Sequence, residues 1–215
     1  FWYGASGQII TGNRYFLEDK PQYLDAPGEF WFERKGGGGR LYVRLPGDRD
    51  PNQSGIEAAR RIALIDSDGM SHVHISGLTF RFTNVFWDLT ARFFVHKDVT
   101  GACVRVLGTC DGLRVAHCKF EHVNKAVRVK PARDTDHVDK VVVSDNEILF
   151  TDHGAIELED GHGWGKFAPP VAPLGDVKVL RNRLSVIGQR AIRSDSSHAL
   201  VVNFPETMEV AGNML

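Results

Sequence analysis

Four carboxylates fall in two short stretches of this chain: Glu157, Glu159 and Asp160 in one, Asp195 in the other. Basic residues accompany them, with Arg193 just before Asp195 and Arg128 and Lys130 in an earlier run of the same pattern. Glycosidic cleavage needs two carboxyl groups, about 5–5.5 Å apart for retention and about 6.5–9.5 Å for inversion. One must be kept protonated by its surroundings while the other stays ionised. A neighbouring carboxylate raises a carboxyl pKa and a neighbouring arginine lowers it. Glu159 and Asp195 are the candidate acid/base pair on this reading, with Glu157 as a third catalytic candidate. Arg128, Lys130 and Arg193 are candidate substrate contacts, because guanidinium groups grip uronate or sulfate bidentately. The same three residues keep a lyase chemistry open, in which Arg or Lys is the base that attacks a uronate.

A plainer reading of these residues stands beside the catalytic one. An Arg-Glu-Arg column is also how a solvated sheet face balances its charge. Close carboxylates would equally suit a surface Ca²⁺; no other metal and no organic cofactor is implied. The run from Glu159 to Pro173 sets His162, Trp164 and Phe167 among glycines and prolines. An insertion of this kind often carries function. His162 and Trp164 are taken as substrate contacts, the indole by stacking on a sugar ring; the alternative is a Trp folded back over the strands. His153 and His198 are turn histidines or general bases. His72 and His74 alternate along one strand without a third metal ligand.

The elements that must position these residues come from an internal repeat. Five segments share one pattern: Val73 to Phe80, Leu113 to Phe120, Val141 to Ile148, Val177 to Leu184 and Met208 to Leu215. Their apolar columns are Val73, Leu113, Val141, Val177, Met208; then Ile75, Val115, Val143, Val179, Val210; then Phe80, Phe120, Ile148, Leu184, Leu215. Period-two alternation marks half-buried strands. Intervals of 40, 28, 36 and 31 residues fit tiers of three short strands with one turn that tolerates insertion. No copy can bury its apolar face alone, so neighbours must supply the core. Asn146, Asn182 and Asn213 share one place in three consecutive copies, which predicts a turn with an asparagine ladder. A second strand recurs as Cys103 to Val106, Ala126 to Val129, Ala155 to Leu158 and Ala191 to Ser194. Its outward columns would be Arg105, Arg128, Glu157, Arg193 and then Leu107, Lys130, Glu159, Asp195. Tiers lie about 4.8 Å apart, so Glu159 would neighbour Asp195, and Glu157 both arginines.

The first 60 residues read differently. Phe30 to Glu33 and Leu41 to Leu45 flank Gly36 to Gly39, a hairpin pattern. Ser54 to Arg60 is the best helix candidate, and Arg61 to Ile65 reads as the first stacked strand. The domain reading is therefore residues 1–60 as a flanking or capping region and 61–215 as stacked tiers. Opening on Phe1 and stopping at Leu215 inside a patterned segment, the chain reads as part of a longer polypeptide. Open tier ends would favour end-to-end self-association through exposed strand edges. The formal net charge of -1 gives no reason to expect nucleic acid or an acidic membrane as partner, and no apolar run is long enough to span a bilayer. Cys103, Cys110 and Cys118 match no common zinc spacing and read as packed thiols, with a Cys103–Cys110 disulfide as the alternative.

The stretch Asn13 to Pro46, followed by the run from His72 (HVHISGLTFRFTN), resembles the entry region of the pectate-lyase-like superfamily. It is similar in particular to bacterial glycoside-hydrolase-type members, where an aromatic Pro-Gly-Glu segment and a Gly-Leu-Tyr segment precede the repeats. The resemblance covers nearly the whole chain. It implies an all-β fold, a right-handed parallel β-helix with an N-terminal hairpin. It also implies an extracellular or periplasmic protein that acts on a polysaccharide, most simply as a glycoside hydrolase. Lyases and non-catalytic adhesins share the fold, which by itself does not set activity. Gly161-His162-Gly163 matches a polygalacturonase tripeptide, but their Asn-Thr-Asp and Arg-Ile-Lys motifs are not present.

Overall fold

The computed structural model describes residues 20–84, 101–161, 171–189 and 198–215. The chain forms two compact units, residues 4–58 and residues 59–215. In the first unit, β1 (Phe30–Lys35) and β2 (Gly38–Val43) pair antiparallel, with Lys35 opposite Gly38. The bend falls on Gly36, whose φ of 57° is natural for glycine. Trp31 and Tyr42 stack across one face at 5.3 Å, and Tyr42 donates to Glu33. The expected helix at Ser54 to Arg60 does not form. A 3-10 turn at Pro51–Gln53 stands just before it, and the Asp50 carboxylate accepts from the Asn52 amide there. Seven residues without a packed apolar stripe are too few to offset helix nucleation.

The second unit is built from parallel strands in successive tiers, with no α-helix among the described residues. The first tier holds β3 (Ile65–Ser71), β4 (His74–Ser76) and β5 (Thr79–Arg81). The second holds β6 (Val104–Asp111), β7 (Arg114–Ala116) and β8 (Lys119–Glu121). The third holds β9 (Val127–Lys130), β10 (Val138–Asp139), β11 (Val141–Ser144) and β12 (Glu147–Leu149). The fourth holds β13 (Ile156–Glu159), β14 (Leu174–Leu180) and β15 (Arg183–Ser185). The last holds β16 (Leu200–Asn203) and β17 (Pro205–Ala211). One 11-stranded sheet and one four-stranded sheet carry the pairings.

Register follows the repeat residue by residue. Ile75, Val115, Val143, Val179 and Val210 pair in sequence, as do Phe80, Phe120, Ile148 and Leu184. The middle members of both columns are fully buried, and each contributes about 1.5–3 kcal/mol by leaving water. Phe80 stacks on Phe120 at 4.9 Å. The three cysteines are free and buried, so the disulfide alternative falls away. Burial pushes the Cys103 and Cys110 thiols up to about 12.

Two expected boundaries move. The first stacked strand begins at Ile65, not Arg61, because pairing starts only where Leu64 and Ile65 donate to Cys103. The place expected of Ala191 to Ser194, beside Ile156 to Glu159, is filled by another segment. Leu200 to Asn203 pairs with Ile156 to Glu159 instead; residues 191–194 lie outside the described residues. A small residue followed by alternating apolar ones occurs at both places, and only Ala199 to Val202 keeps both inward positions apolar.

The asparagine ladder forms as the repeat predicts. Asn146 Nδ2 donates to Asn182 Oδ1 at 2.9 Å, and Asn182 Nδ2 to Asn213 Oδ1 at 3.0 Å. Each amide also donates to a carbonyl of the tier before: Val115, Val143 and Val179. Each Oδ1 accepts the backbone N–H at the equivalent place one tier earlier, from Cys118, Asn146 and Asn182. The residue before each ladder position bends through positive φ: Gly77, His117, Asp145, Arg181 and Gly212. A second left-handed column, Phe82, His122 and Phe150, stacks its rings at 5.7 and 5.0 Å. Asn182→Leu should therefore destabilise the fold by about 3 kcal/mol in urea denaturation, since it strands buried partners on both sides. Asn213→Leu, on a half-buried residue whose partners among the described residues lie on one side only, should cost less, about 1–2 kcal/mol; equal losses would sink the ladder argument.

Candidate functional site

The second-strand columns carry the charge that the repeat puts on the outward face. Asp66, Arg105, Arg128, Glu157 and Val201 stand in register across five tiers. Leu107 lies opposite Lys130, and Glu159 opposite Asn203. Val201 thus occupies the place expected of Arg193, and Asn203 that expected of Asp195. The reason is the shift of the last strand by eight residues, which an insertion of variable length permits. Arg193, Asp195, His162 and Trp164 lie outside the described residues.

Alternation alone would leave these outward side chains solvated, yet Arg128 is 4% and Glu157 8% exposed. They form a chain of ion pairs. Lys125 Nζ meets Glu157 Oε1, and Arg128 Nη1 meets Glu157 Oε2 at 2.8 Å. Arg128 Nη2 reaches Glu159 Oε1 at 2.9 Å, and Lys130 Nζ reaches Glu159 Oε2 at 2.7 Å. Arg128 therefore bridges two carboxylates with one guanidinium plane, a geometry lysine cannot supply. Arg105, adjacent to Arg128, turns the other way and grips Asp66 bidentately at 2.8 and 2.6 Å. Exposure grades along the chain of pairs, from Lys125 at 2% to Lys130 at 25% of the side chain.

Burial pulls the Glu159 carboxyl upward, but Arg128 and Lys130 together outweigh it and hold the group below its ordinary value. Glu159 is thus a carboxylate at neutral pH, suited to a base or nucleophile and not to a general acid. Lys125 moves the opposite way from a normal surface lysine. Burial lowers it from 10.5 to about 8, against the pull of Glu157 and with the push of Arg128. Two anions among three cations, two of them buried, make this physically coherent, since a cation in excess is the one most easily neutralised.

Lys125 is the residue that sequence reasoning missed. It precedes β9 at a corner, where period-two alternation no longer tells inside from outside. The available signal is Gly154 in the next tier: a Cβ there would lie 3.4 Å from Lys125 Cε and 2.7 Å from the His198 carbonyl. His153 beside it is buried, its N–H bonded to the Asn124 carbonyl. Asn124 in turn donates from its side chain to the Ile62 and Asn84 carbonyls. The base of the long insertion is pinned where Gly161 N–H donates to the Ala172 carbonyl at 2.9 Å. Among the described residues no group of three or more His, Cys, Asp or Glu side chains is placed to hold a metal. Calcium at Glu157 and Glu159 would have to displace cationic side chains from both.

No protein-family model matches the chain, and no curated protein or solved structure shows significant similarity to it. What the geometry defines is an all-β protein of parallel sheets with a buried ion-pair ladder on one outward strand face.

Arg128→Met should cost about 3 kcal/mol in chemical denaturation, because it leaves a buried and a partly buried carboxylate short of their shared cation. Lys130→Met, at the exposed end, should cost about 1 kcal/mol or less; similar losses would mean that the bridge is not what matters. Between pH 8 and 10.5 the unfolded chain keeps a proton that folded Lys125 has released. Rising pH therefore favours the folded state across that window. The stability of wild type minus that of Lys125→Met should climb from pH 8 to 10 and stay flat below pH 7. A falling difference would contradict the buried-lysine assignment.

Proposed function

We propose that the tiers wind as a right-handed parallel β-helix and that the protein is a carbohydrate-active enzyme, a glycoside hydrolase working outside the cytoplasm. The observation that carries this reading is the outward row in which Arg128 and Glu157 are buried and Glu159 is partly so. A face that merely kept the protein soluble would have no need to desolvate its charges. Right-handed winding is what parallel crossovers adopt. A row of polar groups along stacked strands suits an extended polymer, and Arg128 and Lys130 suit one that bears carboxylate or sulfate.

In this reading Glu159 is the ionised partner, nucleophile or base, and Glu157 orients Arg128. The protonated partner must come from a group without such cations, and Asp195 is the candidate. His162 and Trp164 serve as sugar contacts. A second reading, a non-catalytic binding or matrix element, is favoured by one fact: both described carboxylates of the row are ion-paired.

Digestion of a polysaccharide panel separates these. New reducing ends without unsaturated product, reduced about a hundredfold or more in Glu159→Gln and in Asp195→Asn, are expected. Circular dichroism would confirm that both variants fold. Unsaturated product would make the protein a lyase, and no cleavage by a folded chain would favour the binding element.

A further inference from the structure

Lys125 is the innermost member of the ion-pair row, at the corner that leads into β9. Its backbone is pinned on both sides. The N–H donates to the Asn124 side-chain oxygen at 2.7 Å, and the carbonyl accepts from the Cys103 amide at 2.7 Å. The bare backbone of Gly154 leaves room for the lysine stem, since a Cβ there would stand 3.4 Å from Lys125 Cε and 3.9 Å from Glu157 Oε1. Desolvating an ammonium group in such a place is costly, and an apolar side chain of similar length would fill the space without that cost. Packing therefore does not explain the lysine.

Its contacts run in one line to Glu159. Lys125 Nζ meets Glu157 Oε1, Glu157 Oε2 meets Arg128 Nη1, and Arg128 Nη2 meets Glu159 Oε1. With Lys125 charged, Glu157 is held from both sides, and Arg128 divides itself between two carboxylates. Without that charge, Glu157 draws the guanidinium toward itself and off Glu159. We propose that Lys125 is a positioning residue for Glu159, and that its charge, acting through Glu157, keeps Arg128 on the Glu159 carboxylate. The role rests on the reading of Glu159 as the ionised partner of the site. Lys125 is too enclosed to meet a substrate itself. Glu157 and Glu159 on β13 favour its charged form, while burial and Arg128 on β9 bring it down to about 8, so the line opens in the alkaline range. Arg105 on β6 stands beside Arg128 but is held by Asp66, and His153 flanks Gly154 at the same corner.

Magnetic resonance of Glu159 and Arg128 tests this in the full chain without substrate. In Lys125→Met the acid midpoint of the Glu159 carboxyl should rise, because Arg128 no longer holds it down. The Arg128 Nη2 protons, having lost their acceptor, should exchange about tenfold faster. Either one unchanged, in a variant whose circular dichroism matches wild type, would overturn the proposal. Should the variant not fold, wild type decides alone. Raising the pH from roughly 7 to 10 should shift the Glu159 carboxyl carbon and the Arg128 guanidinium nitrogens together, with the titration of Lys125; static resonances would overturn it. Over the same range kcat/KM of wild type should fall about tenfold, a limb absent from Lys125→Met. No cleavage with the expected shifts would remove the hydrolase reading and leave the line of contacts standing. Cleavage with static resonances would do the reverse.

Discussion

Parallel pairing in register places equivalent residues of successive tiers directly above one another, about 4.8 Å apart. A residue type good for one tier must then be good beside itself. Apolar side chains meet this condition without difficulty, as the unbroken Ile75 to Val179 column does. Asparagine meets it through its amide, which donates and accepts along the stack. Charged residues cannot repeat in this way, and the outward columns show the consequence. Arg105 and Arg128 are neighbours, and each turns away from the other toward its own carboxylates.

From that constraint the ion-pair row follows. Two basic tiers are followed by an acidic one, so Arg128 is left to reach forward to Glu157 and Glu159 together. Lys125 and Lys130 then close the row at its two ends. Breaking such a buried set is costly, while keeping it contributes little net stability over an apolar face of equal volume. Stability alone gives no reason to put it there, which is the ground on which the proposed function rests.

The corners obey the same rule. Each tier bends through a left-handed residue, and at most of these places the residue is not glycine. A single bulky residue in that conformation is uncommon. Stacking offsets part of the cost where rings fall in register, as in Phe82, His122 and Phe150. Strain and stacking thus come from one geometry, that of a bend repeated at a fixed height.

The amino-acid pattern alone determined the five-copy repeat, the register of its columns and the asparagine ladder, because alternation and column identity are local properties that stacking only multiplies. It also determined that Glu157 and Glu159 share a face with Arg128 and Lys130. Where the next strand resumes after a variable insertion was beyond it: Ala191 and Ala199 head similar runs, and only the pairing of Glu159 with Asn203 chose between them. The burial of the row and the role of Lys125 were likewise tertiary decisions. Desolvation depends on what surrounds a side chain in space, and at a corner the alternation that tells inside from outside no longer holds.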